Sequence, residues 1–148
     1  MADIVYYVNE PLGTVVAKMP TFVKDTYREY GAFIRKHLPL GFSVDYRLYT
    51  QHILEILIKT KYNEAIKNLY GKATCNYVGG EIFDEEKGKE LAKQRLMVKV
   101  FKLRSKLARD VKNHMMENLS WPFGDKMIEC NELVKQYEEN VKKLEAEC

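Results

Sequence analysis

Residues 84–113 read DEEKGKELAKQRLMVKVFKLRSKLARDVKN, and the periodicity of this stretch decides the fold. Leu96, Val100, Leu103, Leu107 and Val111 recur every three or four residues, the spacing of one helix face. Arg95, Lys99, Lys102, Lys106 and Arg109 step by four, three, four and three. At about 100° per residue the five cations fall within roughly 80° of one another, opposite the apolar positions. The spacing predicts one long helix with a dry stripe and a cationic stripe, the cations facing away from any helix packed on the dry side. Asp84 is placed to cap it, and Glu85 and Glu86 in the first turn complement the helix dipole. Three carboxylates there make that terminus a poor phosphate site. Gly88 is expected to let the helix approach another backbone closely.

A helix running from residue 85 to about 119 would be roughly 50 Å long, more than one small core covers. Cys130, Val134, Tyr137, Val141 and Leu144, flanked by Met127 and Leu133, repeat the same spacing and offer a second helix to cover it. The two are expected to form an antiparallel hairpin joined at Trp121-Pro122-Phe123-Gly124, with a second chain able to complete the bundle as a homodimer.

Upstream, Ile4–Val8 and Thr14–Lys18 are strand-like runs around the turn-rich Asn9-Glu10-Pro11-Leu12-Gly13, a predicted β-hairpin. Pro20-Thr21 opens a helix that Pro39-Leu40-Gly41 ends. Ser43 or Asp45 can cap a second helix running to Gly71, read as its left-handed terminator. Lys72–Val78 returns to strand composition and is expected to join the hairpin, with a tight turn at Gly79-Gly80. The predicted fold class is α+β: a small antiparallel sheet of about three strands, two packed helices and a long C-terminal helical hairpin. One domain of 148 residues is expected, with residues 1–83 as the α+β part and 84–148 as the hairpin.

The hydrophobic fraction of 46% and the charged fraction of 30% are globular values, and no apolar run is long enough to span a bilayer. The N-terminus lacks the pattern of a secretory signal, so a cytoplasmic location is expected. Cys75, Cys130 and Cys148 are odd in number and widely spaced, as in a reducing compartment. His37, His52 and His114 lack metal-ligand spacing to each other or to the cysteines, so no metal or other cofactor is expected. The net charge of +3 hides a polarity: residues 87–112 hold ten Lys or Arg against Glu90 and Asp110, a local +8.

Such a stripe suits nucleic-acid phosphates or an acidic protein surface. It also suits a merely solvated face, since lysine-rich helix surfaces are common. Tyrosine is plentiful, but Tyr46, Tyr49, Tyr62 and Tyr70 make no single stripe, and Arg47, Lys59, Lys61 and Lys67 are the cations beside them. Glu85-Glu86-Lys87 is an acidic-x-Lys triplet of the kind seen in nuclease metal sites, and one that arises by chance in any such chain. No nucleophile with a local base and no phosphate-binding glycine loop is present, so the expectation is a protein that is not an enzyme.

Ala73-x-Cys75-Asn76, Phe83-Asp84 and Gly88-x-x-Leu91-Ala92-x-x-Arg95 together resemble a strand-to-helix motif of small uncharacterised proteins of phages and prophages of Gram-positive bacteria. Tyr77-Val78-Gly79-Gly80-Glu81 departs from it, where a proline and an acidic residue are usual. The resemblance implies a phage setting and no mechanism. In that setting, small proteins without catalytic motifs often block a host machine, CRISPR and other defence complexes included. The reading is therefore a non-enzymatic phage-type inhibitor in the host cytoplasm. It would dock Arg95, Lys99, Lys102, Lys106 and Arg109 on an acidic protein surface, or in a nucleic-acid-binding channel, of a host complex. One alternative is a nucleic-acid-binding accessory protein using the same cations; another is an oligomer that sequesters a nucleotide signal.

Overall fold

The computed structural model describes the backbone of residues 3–37, 44–114 and 121–147, with side chains for 3–32, 51–114 and 128–147. Strands β1 (Val5–Asn9) and β2 (Thr14–Lys18) form the expected hairpin, and Gly13 takes φ +65° to close it. Helices α1 (Phe22–His37), α2 (Val44–Lys59) and α3 (Asn63–Lys67) follow, then β3 (Tyr70–Thr74), α4 (Glu85–His114) and α5 (Trp121–Ala146). The three strands form one antiparallel sheet in the order β1-β2-β3. In register, Val5, Lys18 and Tyr70 make one row across it and Tyr7, Val16 and Lys72 the next. The fold is α+β, with a long antiparallel pair of C-terminal helices, as the periodicity predicted.

Several boundaries move, each for a local reason. The helix expected to run to Gly71 ends at Lys59, and the chain re-enters helix only briefly as α3. Gly71 lies inside β3 instead: a Cβ there would sit 2.0 Å from the Ala92 carbonyl oxygen and 2.5 Å from the Leu96 nitrogen. Glycine is thus required for a strand to lie directly on a helix, where a helix terminator was expected. The strand accordingly begins at Tyr70, before the predicted Lys72, and ends at Thr74. Trp121-Pro122-Phe123-Gly124, read as the joint of the hairpin, opens α5, because proline needs no N–H partner in a first turn. Residues 115–120, like Pro39-Leu40-Gly41 and Ser43, lie outside the described residues. Asp84 does cap α4: its Oδ1 accepts the Lys87 N–H at 3.2 Å.

The core lies between one face of the sheet, α4 and the first helices. Val15, Ala17 and Ala73 from the sheet meet Ala92, Leu96, Val100, Leu103, Leu107 and Val111 of α4, with Ile53, Leu54 and Leu57 of α2. A buried Arg104 ties α1 to this rod: its guanidinium pairs with Glu29 at 2.9 Å and lies 5.5 Å from both the Phe22 and Phe101 ring centroids. Among the described residues no helix is long and apolar enough to cross a membrane.

Candidate functional site

The dry stripe of α4 rests on the sheet and α2, in a core that Val141 and Leu144 of α5 also pack against. The rest of the α5 seam takes a second side of the rod, where Phe101 stacks on Tyr137 at 5.6 Å and Cys130 and Val134 are buried. Polar contacts flank this seam: the Ser105 hydroxyl bonds the Asn131 Oδ1 at 2.6 Å, and Asn140 Nδ2 donates to Gln94 Oε1 at 3.1 Å. Only the third side of α4 remains wet. Between Leu91 and Lys112 its exposed residues are Lys99, Lys102, Lys106 and Arg109, every one a cation.

Because α5 sits beside the cationic stripe, two cations expected to face away from it are within its reach. Arg95 Nη2 meets Glu145 Oε1 at 2.8 Å, while its Nη1 donates to the Lys72 carbonyl oxygen of β3 at 2.7 Å. Lys102 Nζ lies 3.7 Å from Glu138 Oε1, both groups about half exposed. Lys99 Nζ stands 4.5 Å from the centroid of the Tyr70 ring. Lys106 is exposed and makes no ion pair among the described residues. Arg109 turns toward its neighbour Asp110, Nε to Oδ1 at 3.4 Å. The five sequence-predicted residues thus lie along one continuous helix, but Arg95 acts as a strut between β3 and α5 rather than as a free cation.

The wet side of α4 forms the floor of a groove of about 650 Å³, walled by Tyr70 and Lys72 from β3 and by Glu138, Lys142 and Glu145 from α5. Lys72, Arg95, Lys99, Lys102 and Lys142 face two carboxylates, both already engaged. Sequence reading missed Lys72 and Lys142, since neither belongs to the helical row. Their signal lies in the tertiary arrangement alone: β3 and α5 flank the same side of α4. A cavity of about 590 Å³ near the other end of the sheet is rimmed by Glu81, Asp84, Glu85 and Glu147 against a single cation, Lys87, an unfavourable environment for phosphate.

Where the cationic row ends, Asp110 is buried and accepts hydrogen bonds from Lys61 at 2.8 Å and from the Tyr62 hydroxyl. Burial alone would raise the Asp110 carboxyl, but the hydrogen bonds of Lys61 and Tyr62 and the charges of Lys61 and Arg109 outweigh it, leaving the group below its ordinary value. Burial, then the bond to Asp110, pushes the Tyr62 hydroxyl up to about 12. Among the described residues no group of three His, Cys, Asp or Glu is placed to hold a metal ion.

Comparison with protein-family models, with curated proteins and with solved structures finds no match, so no residue's role is carried over from a relative.

Proposed function

We propose that this chain is a non-enzymatic binding protein that grips a polyanion along α4, and that the polyanion is a nucleic acid. The observation that supports this most is the wet side of α4, whose exposed residues from 91 to 112 are cations without exception. Cations in a row at helical spacing favour repeated phosphates through counterion release. The aromatic ring of Tyr70 beside Lys99 adds a surface on which a base can stack. These neighbours favour nucleic acid over an acidic protein as the partner. The test is a salt-titrated gel shift with generic DNA and RNA. A shift that weakens steeply with salt and disappears in K99E/K102E/K106E supports the reading, and no shift at low salt removes it.

A second reading, inhibition of a host defence complex such as a CRISPR effector, draws on the phage-like motif and on one specific contact pattern. Glu138 and Glu145, one heptad apart on α5, already pair with Lys102 and Arg95, so the row accepts carboxylates displayed by a helix. On this reading the partner is an acidic protein face. A channel built for nucleic acid is itself cationic and would repel α4. The check is cleavage by a purified effector in the presence of the protein: inhibition that K106E relieves, with no gel shift on free nucleic acid, supports this reading over the first.

A further inference from the structure

We infer that the open face of the sheet and the α4 groove form one continuous track for single-stranded nucleic acid, with Tyr7 and Tyr70 stacking bases and lysines beside them holding phosphates. This deepens the nucleic-acid reading and rests on it.

One face of the sheet packs on α4, and the other carries Val5, Tyr7, Thr14, Val16, Lys18, Tyr70, Lys72 and Thr74 to solvent. Tyr7 is 56% exposed and Tyr70 40%, values that the burial of a core tyrosine would not give. The charged side chains on the strands of this face are Lys18 and Lys72, both cationic. Each tyrosine has an ammonium over one face of its ring, Lys18 at 5.7 Å from the Tyr7 centroid and Lys99 at 4.5 Å from that of Tyr70. The same unit, an exposed ring with a cation next to it, therefore occurs twice. The register sets the two rings two strands and one row apart, about 12 Å at ordinary strand spacings.

Tyr70 and Lys72 belong to this face and also wall the groove, so the two surfaces are continuous. Within the groove, Glu145 offsets Arg95 and Glu138 offsets Lys102, which leaves Lys72, Lys99 and Lys142 without a carboxylate partner among the described residues. Three uncompensated cations suit about three phosphates. An exposed aromatic on a sheet face offers its open ring face only to unpaired bases, because a duplex stacks its bases on each other. A duplex would meet the α4 cations but gain nothing from the tyrosines. The chemistry thus selects single strands by the aromatics and polyanions in general by the lysines.

The experiment is fluorescence anisotropy of the full chain with labelled oligo(dT) and oligo(U) of about 12 nucleotides, a blunt duplex of equal length, and free mononucleotides as competitors. The expected result is single-strand binding at least about tenfold tighter than duplex binding, with Y7A and Y70A each weakening the single strand about tenfold and leaving the duplex unchanged. Y70F retains the affinity, and Y70L, which keeps apolar bulk without an aromatic plane, loses it. K72Q, K99Q and K142Q each flatten the salt slope by about 0.7. Equal affinity for single strand and duplex, or indifference to Y7A and Y70L in variants that melt like the parent chain, overturns the track while leaving a general cationic grip. Mononucleotides competing as well as oligomers overturn it in favour of a nucleotide pocket, and absence of any nucleic-acid binding removes both the track and the reading beneath it.

Discussion

Asp110 carries more of the structure than its place in a basic helix implies. It is 5% exposed, and its carboxylate gathers Lys61, Tyr62 and Arg109, fastening the segment after α2 to α4. A carboxyl held below its ordinary value contributes stability that is complete above about pH 4 and is lost as pH falls through the folded-state value. Tyr62 has the opposite sign. With its hydroxyl at about 12 against about 10 unfolded, its contribution is whole below pH 10 and fades as pH rises to 12. Thermal melts should therefore show D110N less stable at neutral pH by about 1–3 kcal/mol and flatter in its acid limb than the parent, while Y62F is flatter in its alkaline limb, to which buried Tyr30 still contributes. An unchanged acid limb in D110N would place the acid sensitivity elsewhere. The two packed glycines make a paired comparison. At Gly71 an added Cβ meets backbone atoms of Ala92 and Leu96, which cannot give without separating sheet from helix, so G71A should cost about 3 kcal/mol or more. At Gly88 it meets the Val15 Cγ2 at 2.8 Å, a methyl of a β-branched core residue that must shift, and the gain of about 1 kcal/mol from alanine in a helix offsets part of that cost. G88A should therefore cost less than G71A, and a loss equal to that of G71A would refute the distinction.

At the scale of elements, α4 is a rod buried on two sides, and only one of them was visible in its pattern. Leu96, Val100, Leu103, Leu107 and Val111 announce the side on the sheet, because they are aliphatic and evenly spaced. The side on α5 is built from Phe101, Met97 and Val98 with Gln94 and Ser105, a mixture in which polar side chains bond across the seam instead of marking a wet face. Periodicity counts apolar residues, so it placed α5 over the dry stripe when it lies beside the cationic one. That misplacement concealed the pairs Arg95–Glu145 and Lys102–Glu138, and with them the groove. The α5 seam itself was legible, since Cys130 and Val134 are buried and Tyr137, Val141 and Leu144 are half-buried at the predicted spacing. Phe101 is the large apolar residue common to this seam, stacked on Tyr137 and beside Arg104. F101A should cost about 3 kcal/mol, with hydrogen exchange accelerated in α5 before the sheet. Equal acceleration throughout the chain would mean that the hairpin opens only with global unfolding.

Across the whole molecule, the chain is a dipole in which one segment of 26 residues outweighs the rest: 87–112 carries +8 within a total of +3. The compensating negative charge is not distributed at random, because Glu138 and Glu145 on α5 lie against the same cations that would meet a polyanion. These carboxylates compete intramolecularly with a partner. Both pairs are substantially solvent-exposed, so each stabilises the fold by no more than about 1 kcal/mol, and their removal is tolerable. Neutralising them leaves Arg95 and Lys102 to be satisfied from outside. The double variant E138Q/E145Q is accordingly expected to bind a polyanion more tightly than the parent chain at low salt. Its dependence of log affinity on log salt should steepen by about 0.7 for each released cation that takes a phosphate. Removing a carboxylate that itself contacts the partner would weaken binding, so a gain of affinity marks Glu138 and Glu145 as competitors for the cations they hold. Unchanged affinity and slope in a variant that melts like the parent would place the docking surface beyond the groove, on Lys106 and Arg109 alone.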